Sequence, residues 1–400
     1  MHAPGSAPNA QRNVYIFGAT SFFNDIATEM AYWVLPAFVV SLGGGPAALG
    51  VIEGIAESVA ALGQLFSGYL TDRMTHRKPL VVAGYFAANV VKPFLAISTQ
   101  WWHILLVRFS DRMAKGLRAT PRDVILAGSV PKDKIGSAYG LLQSMDSAGA
   151  VLGPLLALFI LSRSGNVRTV FWWAAAPGAL AFLVVLLAKE VRTGKASVVP
   201  GKASATAAVN LPARFYYMLL AVLIFSLGNS SDMFLVLRAQ QSGISLKLAP
   251  LLGLVFNITY TLASWPAGWF SDRFSKPAIA ASGYVVFAAT YFVFAKAPSH
   301  AALWIMMSCY GFYYALTSPV LRALVVETVP ADSRGRAFGI FYFVTSITAL
   351  LASLITGELW KHFGPELPFS LSALLALIAA TMLFAAFLKS PRNSTQSVTA

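Results

Sequence analysis

The sequence predicts an all-α membrane protein of twelve transmembrane helices, arranged as two pseudo-symmetric six-helix halves. Of 400 residues, 57% are hydrophobic and only 12% are charged, where soluble domains carry about 25% charged residues. Apolar runs recur along the whole chain at about the 20 residues that cross roughly 30 Å of hydrocarbon. They leave no stretch long enough for a soluble domain. Backbone hydrogen bonding in lipid then requires helices, since the alternating pattern of a membrane barrel is absent. Finally, blocks of sequence return at a nearly constant offset.

Taken in order, the spans are expected at 14–42, 46–71, 79–99, 101–127, 134–163, 168–188, 213–239, 247–272, 278–296, 300–328, 334–362 and 365–389. The first thirteen residues are polar and the first span is too long for a signal-peptide core, so no cleavage is expected. The single Cys309 excludes an internal disulfide.

The formal net charge is +14, and its placement reports topology. Arg12, then Arg73, Arg77 and Lys78, Lys132 and Lys134, Arg192, Lys195 and Lys202, Arg273 and Lys276, Arg334 and Arg336, and Lys389 and Arg392 fall in alternate connections or at the termini. The opposite connections hold chiefly Arg163, Arg168, Lys247, Lys296 and Lys361. The positive-inside rule then places both termini in the cytoplasm, as an even number of spans requires, and the chain in the cytoplasmic (inner) membrane. The basic excess is read as orientation and contact with anionic lipid, with no nucleic-acid partner.

"GYLTDR" (Gly68 to Arg73) returns as "GWFSDR" (Gly268 to Arg273), each at the cytoplasmic end of a span and each followed by Lys-Pro. "VPKDKIGSAYG" from Val130 returns as "VPADSRGRAFG" from Val329, and "TEM" (Thr28 to Met30) faces "SDM" (Ser231 to Met233). Three blocks in one order at one offset mark a duplication. The expected division is 1–188 for the first bundle, 189–212 for a flexible cytoplasmic linker rich in Gly, Ser, Ala and Lys, and 213–400 for the second bundle.

Six spans repeated in parallel are the layout of major facilitator transporters, whose halves rock about a central site. Along its full length the sequence resembles that superfamily. "GYLTDRMTHRKPL" is similar to its loop 2–3 signature, "RMAKGLRAT" (Arg112 to Thr120) to its helix 4 motif, and "GAVLGP" (Gly149 to Pro154) to the helix 5 motif of proton-driven exporters. The set "FFNDIATEM", "IEGIAE", "RKPL", "DRMAKGLRATPRD" and "MDSAGAVLGP" also resembles a prokaryotic branch known only as transporters or permeases, which supplies no substrate. The resemblance implies gating roles for Gly68, Asp72, Arg73 and Arg77, for Gly268, Asp272 and Arg273, and for Gly149, Gly153 and Pro154. In it, each Asp holds a neighbouring helix N-terminus and arginines across the interface between halves, a placement that the helix dipole favours.

Two acids inside the first span, Asp25 and Glu29, pose the central question. A carboxylate at bilayer depth costs roughly 2.5–3.5 kcal/mol, so something must offset the pair. They lie four apart on one helix face, as do Arg108 and Arg112 in the fourth span. At about 1.5 Å per residue, Asp25 and Glu29 stand roughly 16 and 22 Å above Val14, while Arg108 and Arg112 stand about 10 and 16 Å below Trp101 on the other surface. In a core of about 30 Å these depths pair Glu29 with Arg108 and Asp25 with Arg112. Such a ladder is a proton switch: a carboxylate facing Arg stays ionised, and desolvation favours its protonation once the Arg withdraws. The plainer reading is a permanent ion pair between the two helices.

Asp111 and Lys115 are expected to pair within their helix, and Asp146 to neutralise Arg112 or Lys115 or to touch substrate. Asp232 corresponds to Glu29 through the repeat. Further candidates for substrate or cation contact are Asn24, Glu53, Glu57, Asn229, Arg238, Asn257, Tyr310, Tyr313, Tyr314, Phe341 and Tyr342, the aromatics as the wall of an amphiphile pocket. Snorkelling is the ordinary role for Arg238, interhelical bonding for the asparagines, and lipid contact for half of the aromatics.

Phosphate-loop motifs, metal-ligand spacing and a nucleophile beside a base are all absent, so neither an enzyme nor an ATP-driven pump is expected, and no cofactor or metal. The leading expectation is a proton-coupled secondary transporter acting by alternating access as a monomer. It would be an exporter (H⁺ antiporter) of amphiphilic small molecules or drugs, with a small-molecule substrate, protons and the lipid bilayer as its partners. The alternative is a cation- or proton-coupled importer of a small polar or anionic metabolite. A channel or sensor is disfavoured, since two copies of a gating motif suit alternating access and a pore needs none.

Overall fold

The computed structural model describes residues 8–32, 34–44, 46–191, 211–244, 249–296 and 299–388. Of the linker expected at 189–212, residues 192–210 lie outside this set, as do Lys247, Lys389 and Arg392. The helices are α1 (Pro8–Tyr32), α2 (Leu35–Ser41), α3 (Pro46–Arg73), α4 (Lys78–Val91), α5 (Phe94–Ile97), α6 (Trp101–Ser129), α7 (Ile135–Ser164), α8 (Val167–Val185), α9 (Ala213–Gly228), α10 (Met233–Gln241), α11 (Ala249–Arg273), α12 (Lys276–Ala295), α13 (His300–Thr328), α14 (Arg334–Phe363) and α15 (Glu366–Leu388). No strand occurs among the described residues.

These bounds follow the expected spans closely, but three spans are broken. The first divides between α1 and α2, with Pro36 in the first turn of α2. The third divides at Lys92-Pro93, between α4 and α5. The seventh divides over Asn229 to Asp232, leaving Asp232 as the N-cap of α10. Proline lacks the N–H of the helical ladder and its ring crowds the preceding turn, which explains the first two. Two of the three breaks set a charged side chain, Lys92 or Asp232, deep within its span.

Duplication is visible in the packing. Within the first half α1 lies against α7 and α8, α3 against α6, and α4 against α6 and α8. The second half repeats every pair: α9 against α14 and α15, α11 against α13, and α12 against α13 and α15. The halves meet through α7 with α11 and, in the matching positions, α3 with α14.

Both crossings rest on missing side chains. A Cβ on Gly268 would stand 2.2 Å from the carbonyl oxygen of Gly136, and one on Gly68 would stand 2.6 Å from that of Gly335. Further along the first crossing, the Ser144 hydroxyl donates to the Thr261 carbonyl at 2.5 Å. These contacts occupy the ends of the helices nearest the linker, called here the linker side, so the halves are closed on that side.

Helix contact at Gly268 yields a test. In a background lacking Cys309, the pair Ser144→Cys and Thr261→Cys is expected to crosslink readily, and adding Gly268→Leu is expected to abolish the crosslink. Equal crosslinking with the leucine present would contradict this account of the closure.

Candidate functional site

The acids of α1 face α7. A Cβ on Gly149 would come within 2.5 Å of the Phe22 carbonyl and 3.0 Å of Asp25 Cβ, and one on Gly153 within 2.7 Å of Glu29 Cβ. The two glycines of "GAVLGP" therefore seat the helical face that carries Asp25 and Glu29. This close crossing sets the Asp25 carboxyl beside that of Asp146 of α7. Two carboxyl groups can hydrogen-bond to one another only with a proton between them, because two carboxylates offer only acceptors. Lys115, an exposed side chain on α6, acts electrostatically on both acids.

The expected ladder between α1 and α6 does not form; the arginines take α3 instead. Arg108 donates through Nη2 to both carboxylate oxygens of Glu53, at 2.8 Å each, and Arg112 Nε stands 3.6 Å from Glu57. Helices α3 and α6 run in the same direction, so acids four apart meet arginines four apart rung for rung. Gly63 against Gly116 lets the backbones approach, with a Cβ on Gly63 only 3.3 Å from Gly116 Cα. Depth along the helix axis matched both sets of acids; the direction of each helical face decided between them. Glu57 is 63% exposed at its side chain, whereas the guanidinium of Arg108 is buried.

The intrahelical pair Asp111–Lys115 is also replaced. Asp111 takes Lys92 from the α4–α5 break, Nζ to Oδ1 4.0 Å. Lys92 Nζ also donates to Asn89 at 3.0 Å, Asn89 donates to Asn24 at 3.3 Å, and Asn24 donates to Asp25 at 3.1 Å. A line of donors thus leads from a buried ammonium to Asp25. One turn deeper, Arg122 Nε donates to Asp123 at 3.0 Å, and Tyr342 of the second half donates to the other oxygen of Asp123. Arg118 stacks on the Tyr85 ring, 4.3 Å from its centroid.

In the second half Asp232 is exposed at the α9–α10 break and accepts from Tyr310 at 2.7 Å. Tyr310 also approaches Asn229 at 3.5 Å. The amphiphile wall expected of the aromatics is not present as drawn. Tyr310, Tyr313 and Phe341 are buried within the second bundle's core, leaving Tyr314 and Tyr342 partly open. Arg238 does not face a site: it donates to the carbonyls of Phe294 and Ala295, capping the negative end of α12. Asn257 spends its amide on Gly253 in its own helix.

On the linker side the duplicated acids exchange partners across the halves. Asp72 accepts from the backbone N–H groups of Gly335 (2.7 Å) and Arg336 (2.9 Å) at the start of α14. Asp272 accepts from Gly136 (2.6 Å), Ser137 (2.7 Å) and the Ser137 hydroxyl (2.5 Å) at the start of α7. Each carboxylate satisfies otherwise orphaned N–H groups of a helix in the opposite half. Arg336 of α14 also brings its Nε to 3.5 Å from Asp72 across the halves, while Arg273 lies on its own Trp269, 3.5 Å from the ring centroid, Arg73 is exposed, and Arg77 Nε donates to the Thr71 carbonyl.

Sequence reasoning passed over Lys92, Arg118, Arg122, Asp123 and Gln143. Lys92 carried a readable signal, being the one charge inside the expected third span. Arg122 and Asp123 looked like the polar end of the fourth span, and an uncharged Gln143 gave no signal.

Glu53 is half-buried against the buried Arg108, and removing it leaves that guanidinium without its carboxylate. Glu53→Gln is therefore expected to lower the thermal unfolding temperature sharply, and Glu53→Gln with Arg108→Gln to recover part of the loss. Additive losses in the double variant would contradict the pairing.

Comparison with known proteins agrees with this architecture. The family model of the Major Facilitator Superfamily matches residues 17–255 and 218–400. An uncharacterized MFS-type transporter of Methanocaldococcus jannaschii is 34% identical over 380 residues, covering 93% of this chain and 94% of its relative. The multi-drug resistance efflux pump PmrA of Streptococcus pneumoniae is 24% identical over 390 residues, covering 92% and 96%. Among solved structures, the human organic anion transporter MFSD10 superposes with a TM-score of 0.79 at 14% identity over 94% of this chain and 100% of that one. A multi-pass membrane protein with duplicated six-helix halves and these matches belongs to the Major Facilitator Superfamily of transporters.

Proposed function

We propose that the protein is a proton-coupled secondary transporter that works by alternating access, exporting amphiphilic small molecules in exchange for protons. The observation that carries this reading is the adjacency of the Asp25 and Asp146 carboxyl groups where Gly149 lets α1 and α7 close on one another. Charge balance supports it: leaving aside Lys134, Arg163 and Arg168 at the span ends, seven acids of the first half's spans (Asp25, Glu29, Glu53, Glu57, Asp111, Asp123, Asp146) accompany six cations (Lys92, Arg108, Arg112, Lys115, Arg118, Arg122). A single proton held by the carboxyl pair makes the set neutral, which the cost of intramembrane charge favours. Proton and substrate then compete for one state of the crevice between the halves. Export is supported by the helix 5 glycines and by the relative PmrA, a multi-drug resistance efflux pump.

The basic connections support a cytoplasmic linker side, with both termini there, in the cytoplasmic membrane. The two bundles, 1–188 and 213–400, rock as units about the linker. All groups invoked come from one chain, and the monomer is the working unit. A second reading, import of a small anionic metabolite, is favoured by the exposed ammonium of Lys115 at mid-span.

In proteoliposomes an imposed pH gradient is expected to drive substrate flux in the parent protein. Asp25→Asn and Asp146→Asn are each expected to abolish that drive while substrate counterflow without a gradient persists. Gradient-driven flux equal to the parent's in both variants would refute the assignment.

A further inference from the structure

The proton site is wired to the contact between the halves. Gln143 of α7 donates through Nε2 to Asp146 Oδ2 at 3.2 Å. Its Oε1 accepts from the Arg322 guanidinium of α13, and the Ser318 hydroxyl approaches the same oxygen at 3.4 Å. Gln143 and Arg322 are both buried, so water is a poor substitute for either partner. One amide group therefore satisfies a carboxyl of the first half and a guanidinium of the second. No other side chain in the described residues links the carboxyl pair to the opposite half by hydrogen bonds shown here.

We propose that Gln143 and Arg322 are positioning residues that transmit the protonation of the Asp25–Asp146 pair to the closure of the linker side. This rests on the reading of that pair as the proton site. With the proton bound, the carboxyls are held together, Asp146 keeps the Gln143 amide N–H as its donor, and the opposite end of that amide holds Arg322. When the proton leaves to water in the crevice, two adjacent carboxylates remain and repel, and no group bridges them. Asp146 swings away, the amide loses its fixed orientation, and Arg322 loses a buried acceptor. The groups that face these residues set the direction of the swing. Glu29 of α1 repels the pair, while Lys115 and Arg122 of α6 attract it, with the Tyr260 phenol of α11 nearby. Arg322 itself is flanked by Asp123 and Arg122 of α6, Tyr342 of α14, Tyr260 of α11 and the Tyr139 ring. Asp123 offers Arg322 an alternative partner once Gln143 is released, so the switch has two resting positions.

Spin labels at Thr75→Cys and Phe274→Cys, both exposed on the linker side, in a background lacking Cys309, report the separation of the halves in the full chain in lipid nanodiscs. In the parent, the ratio of closed to open distances is expected to change by about tenfold between mildly acidic and mildly alkaline buffer, within the usual range of coupling between sites. Gln143→Leu and Arg322→Met are each expected to reduce that change to less than about twofold. Asp25→Asn is expected to remove it as well, and Gln143→Glu gives a second variant of the bridge should leucine impair folding. A pH response in Gln143→Leu equal to the parent's would overturn the proposed link while leaving the proton site standing. A parent response that survives Asp25→Asn and Asp146→Asn would overturn the proton site itself. A parent without any response would overturn both.

Discussion

The close approach of α1 and α7 is the constraint on which the rest of the structure depends. Two glycines of α7 replace what would be side chains against the backbone of Phe22 and Ile26 and the Cβ atoms of Asp25 and Glu29. The helix thus surrenders packing volume to let carboxyl groups of two helices touch. At bilayer depth that contact is tolerable only with a shared proton, since a pair of bare carboxylates carries both desolvation and repulsion. The glycine motif and the acids are parts of one device: without the glycines, the acids would stand a side chain apart.

Around this device the first half distributes its remaining charge in paired rungs. Parallel α3 and α6 neutralise Arg108 and Arg112, the α4–α5 break neutralises Asp111 with Lys92, and Asp123 takes Arg122. The second half is built differently. Its interior acid, Asp232, is held by the Tyr310 phenol, and its buried Arg238 and Arg322 hold carbonyls and an amide. The halves share a fold through duplication, while among the described residues the interior ionic network lies in the first. The linker-side carboxylates then serve both halves alike, each of Asp72 and Asp272 closing a helix end that belongs to the other half.

Much of this was legible in the sequence, for reasons that differ by feature. Span positions follow from hydropathy, and the duplicated "G…DR" blocks mark Asp72 and Asp272, the two carboxylates that close helix ends across the halves. The helix 5 glycines and the acids Asp25 and Glu29 were each legible, though not that the glycines seat the acids. Partner choice was the weak point. Asp25 and Glu29 matched the height of Arg108 and Arg112, but Glu53 and Glu57 did so equally, and height along an axis carries no information about which way a helical face turns. The breaks at Lys92 and Asp232 were hidden because a span interrupted by a bend has the same composition as a straight one. Gln143 was invisible, being a neutral residue whose importance arises only from what stands at its two ends.

The most direct test of the central claim is the infrared carbonyl band of protonated carboxylic acid, recorded on the full chain in lipid with the linker side closed. The account predicts such a band in the parent protein and its loss in both Asp25→Asn and Asp146→Asn, because the remaining carboxyl would ionise beside Lys115 and Arg122. A parent spectrum without the band, or a band that persists in both variants, would contradict a proton shared between α1 and α7.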